Sequence, residues 1–497
     1  MNKKAWIGLL GMSMAVSLLT SCYDDKGNYD YISEDEAAKV VLGSLEGTTV
    51  KANEVLHITP DIKGDDNGKF SYLWYTLTDA DYDVKRDTLS QERELNVPIN
   101  LKEGKYYLYY KVTNEENGVF RSVSAPLTVT ATDVTSGWYV MKEIEGGVDF
   151  DYHSLSGKSD KQNFLTASLG MSPLAGTPVG MLYQQGDYGN ETVNPDGTTT
   201  KEDGLSALHV MTNKDYITLN ASDFSLLKED LQSQFYEEPE KVNFTALYKH
   251  DFMGNGLVND GDVHLMGSTI GKWGYKMAGD FKLYPHIVPG YTGIYGYDYK
   301  NNRMIGYDAF EGAFADLGDW SGVPNTELQD SSMTVIDVVP HVSSYSTDFY
   351  VVCKSGITGR CYVSQYNFFD PYLMSVDYFE MPSSSLLMKA TIMAAPEIAS
   401  VIYFADGNKL YMHRIATGED RLVKTFAEGE NISFIKNVSG TEADESSFND
   451  IVVITNATVG YNVYRFPLVG SAGELNTDVQ PAMTGTGKAS YLMFRQE

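Results

Sequence analysis

Cysteine is scarce in this chain. Cys22, Cys353 and Cys361 are the only three among 497 residues, far too few to staple a small disulfide scaffold, so the fold must rest on hydrophobic cores. Basic residues are in the minority too: 38 Lys and Arg stand against 67 Asp and Glu, a formal net charge of -29. Such a balance repels nucleic acid and anionic membrane surfaces. It selects no partner, because an acidic surplus also keeps a surface protein soluble. Catalytic signatures are missing as well. No HExxH, GxSxG, Walker-type loop or GxGxxG after a strand occurs, which removes the motifs of zinc proteases, hydrolase elbows and nucleotide sites.

What is present begins with an address. Lys3 and Lys4 precede an apolar run from Ala5 to Leu19 and then Thr20-Ser21-Cys22, the order of a secretory signal peptide over residues 1–21. The run is about 15 residues, short of the ~20 that span a bilayer core, and Gly8, Gly11, Ser13 and Ser17 interrupt it. A permanent transmembrane helix is the poorer reading. The ending Leu18-Leu19-Thr20-Ser21-Cys22 resembles a lipobox, which implies cleavage before Cys22 and a lipid on its thiol. Several acyl chains make an anchor that effectively does not dissociate. The stretch Tyr23-Asp24-Asp25-Lys26-Gly27 resembles the export signal of Bacteroidota lipoproteins, with Asp24, Asp25 and Lys26 as its charged members. It implies the outer face of the outer membrane, with residues 22–38 as an acidic tether.

The remainder favours strands. Hydrophobic residues reach 42% and aromatics 12%, with 35 tyrosines and 45 glycines, a composition for cores, strands and turns rather than disorder. Residues 39–133 show short alternating runs at Val40–Leu42, Val55–Ile58, Phe70–Leu77, Leu95–Ile99, Lys105–Thr113 and Arg121–Thr130, separated by polar turn clusters. This predicts an Ig-like β-sandwich with Trp74 buried between its sheets. Gly104 to Thr130 resembles the closing strands of a PKD (polycystic-kidney-disease) domain, usually a spacer or interaction module.

A new pattern opens at Gly137-Trp138-Tyr139-Val140-Met141 and runs to residue 497. It repeats a hairpin: an apolar strand, a Gly/Asn/Asp turn and a second strand. Instances are Ala207–Asn220, Gly256–Met266, Gly293–Tyr307, Val401–His413 and Ile451–Pro467. About 360 residues at ~40–50 per four-stranded blade predict a β-propeller, most simply of seven blades; two further sandwiches are the alternative. Ser222–Phe235 carries helical spacing at Phe224, Leu227, Leu231 and Phe235.

Candidate chemistry is sparse. Cys353 and Cys361 lie on opposite strands of one hairpin and could bridge if in register; two buried free thiols are the alternative. His209, His264 and His413 recur at similar hairpin positions, which a repeat explains without a metal, although convergence would make a three-histidine site. Asp260 with Asp262, Asp316 with Asp319, and Asp65-Asp66-Asn67-Gly68 are turn-like, lack the full ligand ladder of a calcium loop, and cannot be read as a glycosidase pair from adjacency alone. Calcium is therefore conceivable and no cofactor is expected. Trp273, Trp320 and the tyrosines from Tyr291 to Tyr299 could stack on a ligand or fill a core. Asp87-Thr88-Leu89 resembles a bacterial O-glycosylation triplet, which implies a glycan on Thr88.

Cys22 with its acidic sequel, the PKD-like domain and the Gly137-Trp138-Tyr139-Val140-Met141-Lys142-Glu143 opening together resemble the PKD-like lipoproteins of Bacteroidota. These are similar to accessory components of SusC/SusD-like nutrient importers. The resemblance implies partnership with a TonB-dependent SusC-like barrel and a SusD-like lipoprotein, and capture of a peptide or glycan at the cell surface, peptide favoured. It implies no catalytic residue. A surface hydrolase using acids in the propeller channel, and an adhesin for host glycoprotein, are the competing expectations.

Overall fold

The computed structural model describes residues 32–496 except 52–53, 65–67, 79–85, 100, 102–103, 131–135, 156–159, 190, 194–197, 202–204, 223, 251–253, 268–270, 291–292, 309–311, 318–331, 344–345, 370–371, 443 and 445. Cys22, Asp24, Asp25, Lys26, Asp65, Asp66, Asn67, Tyr291, Asp319 and Trp320 therefore lie outside the described residues. The chain divides into two units, Met1–Thr130 and Ala131–Glu497. No helix among the described residues is long and apolar enough to cross a membrane.

Order begins earlier than the expected tether allows. Glu34–Ala38 form a short helix whose Ser33 hydroxyl accepts from the Glu36 amide while the Glu36 carboxylate accepts from the Ser33 amide, a reciprocal cap that satisfies two helix-end donors. Ala38 is fully buried. Asn114 and Asn117 donate to the Ala38 and Ala37 carbonyls, and Arg121 pairs with Asp35 at 2.7 Å. Residues 33–38 thus belong to the folded unit, because side chains some 80 residues away supply the contacts that a local reading cannot contain.

The first unit is built on a five-stranded sheet in the order Thr48–Lys51, Phe120–Thr130, Gly104–Asn114, Phe70–Thr78, Arg86–Ser90. Two small pairs, Val41–Leu42 with Ile62–Lys63 and Val55–Ile58 with Leu95–Pro98, complete it. Alternation along Phe70–Thr78 puts Trp74 in the core, as expected. Its ring stacks on Tyr110 at 4.2 Å between centroids, and its indole N–H reaches the Glu92 carbonyl at 3.1 Å. Thr88 is exposed, opposite Tyr75 on the edge strand.

The second unit is all-β and propeller-like. Among the described residues it contains seven main antiparallel sheets and a two-stranded hairpin, Glu191–Val193 with Thr199–Lys201, inserted between the first two strands of the second. The second is Pro178–Tyr188, Leu205–Thr212, Tyr216–Asn220 and Leu226–Lys228; the third Phe244–Tyr248, Gly256–Asn259, Asp262–Gly267 and Lys272–Lys276. The fourth is Val288–Pro289, Gly293–Asp298, Arg303–Asp308 and Ala313–Asp316; the fifth Thr334–Ser343, Ser346–Lys354, Cys361–Phe369 and Tyr372–Met381. The sixth is Met393–Ala394, Val401–Asp406, Lys409–Arg414 and Glu419–Thr425; the seventh Asn431–Thr441, Ser447–Asn456, Tyr461–Val469 and Glu474–Leu475, with Met483–Gly485 beside its third strand.

The first sheet closes the chain on itself. Gly137–Ile144 pairs on one side with Gly147–Ser154 and on the other with the C-terminal strand Lys488–Arg495. Its outer edge is finished differently from the others. Asp149 accepts from the amides of Leu165 and Thr166 in the one-turn π-helix Phe164–Ser168, and Val148 and Tyr152 exchange backbone bonds with Leu174 and Lys161.

Every pair of neighbouring sheets shares one apolar core. Phe150 and Leu208 meet between the first and second, and Met211 and Trp273 between the second and third. Val258 with Ile294, Tyr295 with Phe349, Val352 with Ile402, and Tyr403 with Val453 continue the series. Val140 and Val452 complete it between the first sheet and the seventh. A fully buried Val, Leu or Phe contributes roughly 1.5–3 kcal/mol, so the interfaces between sheets rather than any one sheet carry the stability.

One expectation needs correction, and two alternatives left open by the sequence are decided. Leu226–Lys228 is a strand paired with Thr218 and Leu219, so helix is confined to Leu231–Gln234; a free sheet edge overrode the local spacing. Cys353 and Cys361 are free and buried. Cys353 stands opposite Tyr362 and Lys354 opposite Cys361, and because adjacent strand residues face opposite ways, the two thiols enter different cores. His209, His264 and His413 sit in three separate sheets with separate partners, Gln184, the Gly274 carbonyl and Asp420, so they do not converge.

Candidate functional site

The inner strands of the second unit surround a cavity of about 560 Å³, within the ~300–1,000 Å³ of small-molecule sites. Each sheet contributes to its wall: Tyr491 from the first, Val179, Tyr248, Ile287, Val338, Met393 and Phe434 from the second to the seventh in turn. Apolar side chains outnumber polar ones in its lining.

Hydrogen bonds stitch consecutive sheets together near this wall. The Tyr491 hydroxyl donates to the Met181 carbonyl at 3.1 Å, and Asn255 donates to Gln184 at 2.9 Å. His250 bonds the Gly293 carbonyl at 3.1 Å, His286 bonds Asp337, and His341 bonds the Pro396 carbonyl at 2.6 Å. The Glu397 amide donates to Asn437 at 2.9 Å and Ser433 to the Ala489 carbonyl at 2.6 Å, which returns to the first sheet. Each junction between neighbours thus has its own polar tie, which holds the wall rigid while its apolar groups face inward.

Apart from the phenols of Tyr248 and Tyr491, the ionisable groups that line the cavity are His286, Glu397 and Lys436. Burial opposes charge on His286, but the hydrogen bond and negative charge of Asp337 outweigh it and raise the imidazole pKa above its ordinary 6.5. Asp337 is itself almost sealed, with 3% of its side chain exposed, while the His286 side chain is 48% exposed. A β-bulge after Val335 aims the Asp337 side chain at the neighbouring sheet, and its carboxylate also accepts from the Val338 amide at 2.8 Å. Glu397 is shifted upward by burial, partly offset by Ser439.

The residues singled out from the sequence are elsewhere. Trp273 is fully buried in a core, and Tyr295 and Tyr297 are buried too. Asp260 pairs with Lys241 at 2.9 Å and Asp262 with Lys282 at 3.0 Å, the behaviour of turn carboxylates. No group of three or more metal-ligating side chains occurs among the described residues. His286, Glu397 and Lys436 were missed, although the hairpin repeat contained a signal: Lys436 is on the inner strand before a legible hairpin, and His286 and Glu397 lie in the segments that precede two others.

Residues 22–175 match the PKD-like family, which spans the first unit and the opening of the second. No curated protein matches the chain. Solved structures similar to it include a quinonprotein alcohol dehydrogenase-like protein from Bacteroides thetaiotaomicron VPI-5482, at 12% identity over 90% of this chain and 96% of that one, with a TM-score of 0.42. The dihydro-heme d1 dehydrogenase NirN matches at 9% identity over 85% and 75%, TM-score 0.34. Kluyveromyces lactis Hsv2 matches at 10% over 57% and 62%, TM-score 0.22. At these scores none of them bears on the activity.

Proposed function

We propose that this chain is a surface-exposed outer-membrane lipoprotein, anchored through Cys22, that acts as a non-enzymatic accessory subunit of a SusC/SusD-like, TonB-dependent transporter. In this reading the seven sheets are seven blades, the PKD-like unit is a spacer or contact module, and the propeller-like unit binds an oligomeric nutrient, peptide in preference to glycan. The observation that carries the binding role is the cavity, where residues from around all seven sheets supply apolar side chains interspersed with polar groups that include His286, Glu397, Lys436 and Asn437, the arrangement of a site that holds a ligand in one orientation. Its apolar side chains, among them Val179, Ile287, Val338, Met393 and Phe434, suit peptide side chains better than a sugar's hydroxyls. Paired-acid glycoside hydrolysis needs two facing carboxyls, and Glu397 is the one carboxylate among the described lining residues.

Detergent extraction of the native outer membrane and mild affinity purification test the partnership. Recovery of a TonB-dependent barrel with the chain is the expected result, and recovery of the chain alone would sink the accessory role. Cys22→Ala should move the protein from the membrane to the soluble fraction.

A further inference from the structure

The proposed peptide role leaves open which end of a ligand is recognised. His286 is placed for that task. It is a wall residue of the cavity, and its Nδ1 is held by the Asp337 carboxylate from the adjacent sheet. Among the described residues no protein group bonds its Nε2. An imidazole anchored through one nitrogen by a buried carboxylate is fixed in orientation and supported in its protonated form, so the other nitrogen becomes a directed donor. The Tyr284 ring meets the imidazole edge-on at 5.5 Å between centroids, which further restricts its rotation. Its chain neighbours Pro285 and Ile287, and Val338 next to Asp337, are apolar residues of the wall.

A donor with partial positive charge in an apolar cavity is complementary to one anionic group on an otherwise apolar molecule. Of the other charged side chains of the wall, Lys436 stands on the seventh sheet, and Glu397 lies in the turn that follows Met393–Ala394 and is tied to the fifth sheet through the bond between His341 and the Pro396 carbonyl. We infer that His286, positioned by Asp337, binds the free C-terminal carboxylate of a short apolar peptide whose side chains fill the cavity. This rests on the peptide reading above and gives it a polarity: the carboxyl end is held at the fourth and fifth sheets.

The test compares trileucine, trileucine C-terminal amide and octanoate as ligands of the full mature chain in detergent, by calorimetry, for the wild type and His286→Gln. A charge-assisted hydrogen bond predicts that the wild type prefers trileucine to its amide by about tenfold or more. His286→Gln should bring that ratio close to one, and a far-UV circular dichroism spectrum that matches the wild type shows that the variant is folded. Equal wild-type affinity for acid and amide, or a preference that survives in His286→Gln, would overturn the assignment while leaving peptide binding intact. Octanoate binding as tightly as trileucine would overturn the peptide specificity in favour of any apolar carboxylate. Binding of neither peptide by the wild type would overturn both this inference and the peptide reading beneath it.

Discussion

The Lys142 ammonium lies 2.7 Å from an Asp151 carboxylate oxygen, with both side chains fully shielded from solvent. Asp151 also accepts from the Tyr461 hydroxyl and from the Asn163 amide, each at 2.7 Å. Lys142 stands on the first sheet and Tyr461 on the seventh, so the buried pair sits where the ends of the unit meet. Breaking such a pair leaves an uncompensated buried charge, which costs about 3–5 kcal/mol. Lys142→Met should therefore lower the stability of the second unit by that amount in urea denaturation. A double variant that also carries Asp151→Leu should recover part of it.

Gly256 is required by a ring rather than by a turn. A Cβ there would lie 2.0 Å from Cζ of Tyr248, directly opposite it in the register. Gly256→Ala should destabilise by about 1–3 kcal/mol through overpacking. Tyr248→Leu in the same chain should restore part of the loss, since the obstructing ring is then gone; equal instability of single and double variants would show another cause.

His209 sets a pH dependence. Full burial, with a smaller effect of Lys228, takes its pKa from 6.5 down to about 3. The folded state then binds fewer protons than the unfolded state between those values, so stability falls as pH drops through that window. The slope approaches about 1.4 kcal/mol per pH unit. His209→Gln should flatten it in denaturation curves recorded between pH 7 and pH 4.5, and an unchanged slope would assign the acid sensitivity to other groups.

The thiols give a chemical check. With Cys353 and Cys361 in separate cores, alkylation under denaturing, non-reducing conditions should label both, as read by peptide mass mapping. Dithiothreitol should leave the melting temperature unchanged. A disulfide-linked peptide pair would contradict the register between their strands.

The legible part of the fold was its middle. Gly256–Met266, Gly293–Tyr307, Val401–His413 and Ile451–Pro467 read as hairpins from their apolar runs and Gly/Asn/Asp turns, and all became the second and third strands of their sheets. Those strands are paired on both sides and covered on both faces, so burial marks nearly every position: Gly293–Asp298 is buried throughout. Inner and outer strands left weaker traces. Val288–Pro289 and Met393–Ala394 are two residues long, too short for any periodicity, and Leu226–Lys228 was mistaken for helix because its strand character comes from a neighbour's free edge.

The site was harder to see for the same reason. His286 acquires its chemistry from Asp337, 51 residues later, and nothing within reach of either along the chain announces the other. The sequence by itself determined the all-β character, the PKD-like beginning and the repeated hairpin core, because alternation, turn chemistry and apolar runs are local. Only the tertiary structure decided that the C-terminal strand completes the first sheet, that two hairpin cysteines face apart, and that a histidine and a buried acid meet beside an apolar cavity. Strand pairing and facing are settled by contacts between distant segments, and those exist only once the sheets have packed.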